Sequence, residues 1–498
     1  MEKGTKQIVG LAGGPVLFVL VMTLAPATNM NPAAVGVLAS TLWVAFWWIT
    51  EAVPIAVSSL LPIILFPLSG GLSIQHTTAA YGHPMIFLFI GGFIIAVAIE
   101  RWQLHRRIAL NVISAMGTSS TKIIFGFMLA TALLSMWISN TATALMMMPI
   151  GMAVVHQLST QVGDKKEKPV FGKALMLSIA YAASIGGIAT LIGTPTNVIF
   201  SAIVRQLYGY DVTFSNWFMF ALPLSILLLI LSWLYLVRVA FPLKYDSIAG
   251  GKENIEAQLR QMGPMSRPEK RVALIFILTA LSWIGRSYIL SSWIPGINDT
   301  IIALTGAVVL FILPSGKNRG ERLLRWEDAV RLPWGIILLF GGGLSLAAGF
   351  KESGLAEWLG GRIQGLDHIP YFILILIIVG AVNFLTEITS NVATASVILP
   401  VLAAFSQAIG VHPFGPMIAA TIAASCAFML PVATPPNAVV FGSGEIEMAD
   451  MVRAGLRMNL ISIVLVSLYV LWVLPLVWNM DMQAFPREFF STLSRFLF

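Results

Sequence analysis

Uninterrupted apolar stretches, Phe87–Ala98 and Phe372–Ile378 among them, recur along the whole chain, and polar residues gather in short clusters between them. Stretches long enough to cross a hydrocarbon core, about 20 residues, fall near 8–25, 33–49, 53–69, 83–100, 171–207, 216–243, 272–291, 299–314, 333–350, 413–442 and 456–479. This pattern predicts an all-α polytopic membrane protein with eleven spans. Two further apolar stretches, 121–157 and 369–409, are interrupted halfway by a polar cluster. Each reads as a re-entrant hairpin, a pair of shorter helices around a tip. The run from Ile8 to Leu24 has no small-residue cleavage site and reads as a retained first span.

Composition agrees with the pattern. Of the 498 residues, 57% are hydrophobic and 11% charged, against about 25% charged in soluble chains, which excludes an ordinary soluble enzyme. The net charge of +7 does not indicate nucleic acid, because the basic residues sit in short clusters between apolar segments rather than lining a polar domain. They report topology instead. With the N-terminus in the cytoplasm, 24 of the 30 Lys and Arg residues fall on the cytoplasmic side, as the positive-inside rule requires. The remaining six are Arg205, Lys351, Arg362, Arg487 and Arg495 on the far side and Arg286 inside the seventh span. The C-terminus is then extracellular or periplasmic. The longest polar stretch, Tyr245 to Arg271, is a cytoplasmic linker too short for a soluble domain. The lone Cys426 allows neither an intrachain disulfide nor a cysteine metal site, and the six histidines form no HExxH pattern.

The chain is duplicated. Ser139-Asn140-Thr141-Ala142-Thr143-Ala144 reappears as Ser390-Asn391-Val392-Ala393-Thr394-Ala395, and Gly193-Thr194-Pro195-Thr196-Asn197 as Ala433-Thr434-Pro435-Pro436-Asn437. Upstream, Gly91-Gly92 matches Gly341-Gly342. An odd number of span steps separates the copies, so they enter the membrane from opposite sides. An inverted repeat with Gly/Pro-interrupted helices in corresponding positions is the signature of a secondary transporter with a site near the bilayer midplane.

At membrane depth, backbone groups without helical partners are tolerated only where they line a cavity or hold a ligand. The Ser, Asn and Thr of each tip can donate to a carboxylate and accept toward a cation. The helix N-termini following the tips, at Thr141 and Val392, direct partial positive charge toward an anion. Proline breaks each long apolar helix, which frees the carbonyls of Gly193 and Ala433 as candidate sodium ligands. A lone Ser-Asn-Thr triplet reads as interhelical glue; its duplication, each time paired with a helix break, reverses that balance.

Together, Asn383-Phe384-Leu385-Thr386-Glu387-Ile388-Thr389-Ser390-Asn391-Val392-Ala393-Thr394-Ala395, Trp48-Ile49-Thr50-Glu51-Ala52-Val53-Pro54 and Ala433-Thr434-Pro435-Pro436-Asn437 resemble the signatures of the divalent-anion:sodium symporters. Those proteins carry di- and tricarboxylates or sulfate. The resemblance covers nearly the whole chain and implies eleven spans and two hairpins, divided into a dimerising scaffold and a transport domain that moves as an elevator. On this basis 1–118 is N-terminal scaffold with an interfacial arm and 119–243 the first transport half. The linker follows at 244–271, then second-half scaffold and arm at 272–367, the second transport half at 368–480 and a C-terminal tail at 481–498. The resemblance also implies one sodium among Ser135, Ser139, Asn140 and the Gly193 carbonyl, and another among Thr386, Thr389, Asn391 and the Ala433 carbonyl. Substrate is expected at Ser139, Asn140 and Thr141 from one hairpin, Ser390, Asn391 and Val392 from the other, and the Thr194-Pro195 and Thr434-Pro435 breaks. Val392 departs from the Thr of the first motif, which bears on substrate choice.

Glu51 and Glu387 are intramembrane or near-interface acids whose structural and functional readings balance, and they stay outside the expected site. His83, before Pro84, reads as a capping or interfacial residue. Amphipathic stretches Arg101–Met116 and Glu352–Gly365 read as interfacial arms. The expected activity is sodium-coupled symport of a C4 dicarboxylate such as succinate, malate or fumarate across the plasma membrane. Sodium is the co-transported ion, and the protein is expected to be a homodimer in the lipid bilayer. Within the family the alternatives are a sodium-independent dicarboxylate exchanger and a sodium-coupled citrate or sulfate carrier; outside it, a passive anion channel. An intramembrane hydrolase would need a nucleophile with its base, or a metal set, at membrane depth, and the sequence offers neither.

Overall fold

The computed structural model describes residues 2–25, 29–117, 119–161, 167–243, 251–362 and 369–489. Lys165, Lys166, Lys244 and Arg495 of the basic tally, the end of the second arm and the second half of the C-terminal tail lie outside them. The described residues are helical apart from connecting turns and one isolated bridge between Pro314 and Arg322. Among the described residues eight helices are long and apolar enough to span a bilayer, and six shorter apolar helices accompany them. In lipid only a helix satisfies its backbone within one segment, so a sequence built of apolar blocks resolves into helices.

Each of the eleven apolar stretches falls on helix, and three are divided. The 53–69 stretch becomes Ile55–Ser58 and Leu61–Ser69, with Pro62 opening the second piece. The 171–207 stretch becomes Glu167–Ile188 and Pro195–Tyr208. The 413–442 stretch becomes Phe414–Ala423 and Pro435–Phe441. Proline sits in the first turn of each downstream piece, where a missing N–H costs nothing. The hairpins are Ser120–Ser135 with Asn140–Gln161, and Tyr371–Thr386 with Asn391–Ala408. Their second helices begin at Asn140 and Asn391, one residue before the expected Thr141 and Val392. The arms form helices Leu104–Ala115 and Leu355–Arg362. His83 caps helix Pro84–Arg101, its Nδ1 accepting from the Met85 N–H at 3.3 Å.

The repeated glycines are points of close approach. A Cβ on Gly91 would lie 2.8 Å from the backbone of Ala303, and one on Gly342 would lie 2.7 Å from the Ser59 carbonyl. Any side chain there would force neighbouring helices apart. Two apolar clusters result, a large one through both hairpins and both broken helices, and a smaller one joining Trp48, Phe66, Leu339 and Phe350. Outward faces carry bare aliphatic groups, as expected where lipid replaces water.

Ion pairs join groups that the sequence assigns to the same face. At one end Arg101 pairs with Glu321 and Asp328, Arg107 with Glu269, and Lys173 with Asp450. At the other, Arg205 and Arg286 meet Asp211, and Lys351 donates to the carbonyls of Gln206 and Leu207 at the end of a helix, where cations are favoured. Arg286 is buried at the end of helix Arg267–Gly285, with its guanidinium 3.1 Å from the Asp299 carboxylate. Asp299 also accepts from the Phe214 N–H at 2.8 Å, which ties three spans together. Removing one member of a buried pair strands the other, at about 3–5 kcal/mol. Arg286→Met is therefore expected to lower the thermal midpoint of the purified protein markedly, with Asp299→Asn in the same chain restoring most of the loss.

Candidate functional site

The two hairpin tips and the two helix breaks meet around one cavity of about 840 Å³. Of the residues expected at the site, Ser139, Asn140, Thr141, Gly193, Thr194 and Pro195 line it from the first half. Thr389, Ser390, Asn391, Val392, Ala433, Thr434 and Pro435 line it from the second. Ser135 and Thr386 lie behind the tips, each holding the carboxamide of the asparagine five residues on.

In the first half, Asn140 Nδ2 donates to Ser135 Oγ at 2.6 Å and to the carbonyls of Gly193 and Ala183, each at 3.2 Å. Ser135 Oγ in turn donates to the Ala183 carbonyl at 2.6 Å. A pocket of hydroxyl, carboxamide and two backbone carbonyls suits a hard cation, which takes oxygen ligands and can replace the amide hydrogens. Gly187 forms its floor: a Cβ there would lie 2.6 Å from the Asn140 carboxamide and 3.1 Å from the Gly193 carbonyl.

The second half repeats the geometry. Thr386 Oγ1 donates to Asn391 Oδ1 at 2.7 Å and lies 3.0 Å from the Ala424 carbonyl. Thr389, by contrast, turns its hydroxyl to Thr394 at 2.6 Å and to the Leu385 carbonyl at 2.9 Å. The residue lines the cavity while its oxygen is engaged with its own hairpin.

The breaks are held open by side chains that stand in for helical partners. Asn197 Nδ2 donates to the carbonyls of Gly187, Ile188 and Thr190, and Asn437 Nδ2 to those of Ala427 and Leu430. Glu387 accepts the N–H groups of Phe428, Met429 and Leu430 at 2.8–3.0 Å and is held by Asn459 Nδ2 at 2.7 Å. Asn197 and Asn437 close the repeated segments, so the duplication pointed to them, and Glu387 stood out as an acid at membrane depth. The Ala183 and Ala424 carbonyls gave no sequence signal, because every residue has one. The breaks touch each other across the repeat: Thr196 Oγ1 lies 2.8 Å from Ser425 Oγ, and the Tyr181 hydroxyl donates to the Phe428 carbonyl at 3.2 Å.

The cavity is polar on the tip side. Thr141, Thr194 and Ser390 have hydroxyls without a hydrogen bond among the described residues. Its opposite wall is apolar, formed by Ile49, Ile55, Phe89, Phe93, Ile336 and Leu339. Among the described residues no Lys, Arg or His lines it. Among them Glu51 is the single charged residue on the wall, held at the end of helix Pro32–Thr50 in a left-handed conformation with φ 47°. The sequence reading left it outside the site. Three groups of its motif, Ile49, Thr50 and Glu51, are cavity-lining.

Comparison with known proteins agrees with this architecture. Residues 7–479 match the family described as the sodium:sulfate symporter transmembrane region. The chain is 45% identical over 489 residues to a sodium-dependent dicarboxylate transporter, SdcS, of Staphylococcus saprophyticus, covering 97% of this chain and 94% of that one. It is also 45% identical over 483 residues to SdcS of Staphylococcus aureus, covering 96% and 93%. Among solved structures, MtrF of Neisseria gonorrhoeae aligns with a TM-score of 0.55 at 14% identity, over 80% of this chain and 83% of that one. The YdaH transporter of Alcanivorax borkumensis aligns with a TM-score of 0.56 at 16% identity, over 83% and 88%. These two show likeness of fold alone. With its signature segments gathered at one cavity and a family match along nearly its full length, the chain belongs to the divalent-anion:sodium symporter family.

Proposed function

We propose that this protein is a secondary active transporter that uses the sodium gradient to import C4 dicarboxylates such as succinate, malate and fumarate. The observation that carries this reading is a cavity lined by free hydroxyls and carboxamides from two pseudo-symmetric tips, without a basic side chain among the described residues. An anion bound there needs mobile cations. Oxygen clusters behind the tips, at Ser135, Asn140, Ala183 and Gly193 and at Thr386, Asn391 and Ala424, are the proposed sodium seats. In this reading the Ala433 carbonyl completes the second seat, Thr389 joins it once sodium draws its hydroxyl from Thr394, and Ser139, Thr141, Thr194, Ser390 and Thr434 meet the carboxylates. The names of the Staphylococcus relatives support dicarboxylate as the cargo class.

Energetics give the coupling its purpose. Carrying two negative charges inward against 100 mV costs about 4.6 kcal/mol, so the accompanying cations must cancel or exceed them. The apolar far wall makes no directional bonds to the tips, which suits an elevator in which residues 119–243 and 368–480 slide against a dimeric scaffold. The N-terminus is assigned to the cytoplasm and the C-terminus to the far side of the plasma membrane.

Glu51 adds a constraint on binding order. A carboxylate facing a cavity without basic groups repels a dianion and concentrates sodium, so sodium enters first and substrate second.

Three outcomes test this reading in proteoliposomes given radiolabelled succinate, with sodium replaced by choline in parallel. Asn140→Ala and Asn391→Ala are each expected to reduce sodium-dependent uptake about tenfold or more, the scale of a lost charge-assisted contact; wild-type uptake in both would reject the assignment. Gly187→Ala, whose Cβ would crowd Asn140 and the Gly193 carbonyl, should raise the sodium concentration for half-maximal uptake and lower the thermal midpoint. Glu51→Gln should lower the apparent KM for succinate and raise the sodium requirement, with unchanged values for both counting against a charge role. Uptake that needs internal dicarboxylate and ignores sodium would identify an exchanger, and flux without accumulation a channel.

A further inference from the structure

A second cavity, of about 420 Å³, opens at the end of the protein that carries most of the basic residues. Its walls include Arg101, Trp102, Gln103, Arg267, Gly316 and Lys317, and no acidic side chain lines it among the described residues. Arg101 is already neutralised by Glu321 and Asp328. The exposed Arg267 and Lys317 side chains have neither an ion pair nor a hydrogen bond among the described residues. Arg271 donates to the Pro314 carbonyl and lies against Gly316. The cavity thus gathers two cations, Arg267 and Lys317, that have no countercharge among the described residues.

Below it runs an apolar face. Arg267, Arg271, Leu274, Leu278 and Leu281 follow one another at spacings of four and three residues on helix Arg267–Gly285, so they lie on one side of it. Leu274, Leu278 and Leu281 are 57%, 55% and 60% exposed. On the neighbouring helix Asp299–Ile312, Val308 and Ile312 are similarly bare. From Arg271 to Leu281 the helix rises about 15 Å, the hydrocarbon depth of one leaflet, or half of about 30 Å. Uncompensated cations at a helix end, continuous with an aliphatic face one leaflet deep, match an amphiphilic anion better than a soluble one.

We propose that this cavity and the leucine face below it bind one anionic glycerophospholipid, with its phosphate against Arg267 and Lys317 and an acyl chain along Leu274, Leu278 and Leu281. Basic pockets between spans on the cytoplasmic side recognise such headgroups. The site adjoins the joint between helix Pro84–Arg101 and the arm Leu104–Ala115, where Gln103 adopts φ 58°. A lipid held there would bear on the angle at which the arm leaves the span.

The test uses the full chain, delipidated in a neutral detergent and titrated separately with dioleoylphosphatidylglycerol, dioleoylphosphatidylcholine and inorganic phosphate. Thermal midpoint and native mass spectrometry are the readouts. Phosphatidylglycerol is expected to raise the midpoint and leave one retained adduct, while the other two do neither. Arg267→Gln with Lys317→Gln should raise the half-saturating phosphatidylglycerol concentration about tenfold to thirtyfold, with the lipid-free midpoint unchanged. Arg319→Gln with Arg331→Gln, an equal loss of charge outside the cavity, should leave the titration as in wild type. Leu274→Ala with Leu278→Ala should weaken binding severalfold. Equal stabilisation by phosphate would mark a soluble-anion site. Equal loss in the control pair would mark diffuse surface charge, and a leucine variant that changes the oligomeric mass would mark a protein interface. Each of these results would overturn the proposal.

Discussion

A peptide group in the middle of a bilayer has no water to turn to, and this protein interrupts four apolar segments there. Ser135–Asn140, Thr386–Asn391 and the two breaks near 189–194 and 424–434 all leave N–H and C=O groups outside any helical ladder. Asn197, Asn437 and Glu387 take up part of that deficit with side-chain amide and carboxylate groups. What they do not take up is concentrated at the tips: a few carbonyls and hydroxyls converging on each asparagine. Polarity that would be a defect elsewhere in a membrane span is gathered, in this location, on the wall of one cavity.

The two halves meet this constraint with different chemistry. In the first, glycine at 187 and 193 lets the backbone close on Asn140 until carbonyl oxygens surround it. In the second, the corresponding positions carry Ala427 and Ala433, and a buried acid with its own amide partner, Glu387 with Asn459, organises the break instead. One half relies on close approach and the other on a hydrogen-bonded carboxylate. The pseudo-symmetry is therefore one of placement rather than composition, which also fits Thr141 opposite Val392.

Much of this was legible from the order of residues alone, for identifiable reasons. A bilayer enforces apolar blocks, so helices and their ends could be read from polarity, and proline placed both breaks because it cannot continue a ladder. Duplication then marked Asn140 and Asn391. Other parts were hidden. The Ala183 and Ala424 carbonyls belong to the backbone and carry no residue signature. Glu51 could have faced scaffold or solvent equally well, and only the end of helix Pro32–Thr50 aims it at the cavity. The hydroxyl of Thr389 is taken by Thr394, a partner five residues away that composition alone would not single out.

The contacts between the two breaks have a consequence for how the chain is made. Thr196 is partnered by Ser425 and Tyr181 by the backbone at Phe428, each more than two hundred residues downstream. Domains form progressively as a chain is synthesised, and contacts this distant in sequence form late. During synthesis the first hairpin and its broken helix must wait in the membrane with those hydroxyls unpartnered until the second half has inserted and turned to meet them. Assembly of this protein is then less a matter of adding spans one by one than of docking two finished halves, and a chain halted near the linker would be left holding an open polar seam.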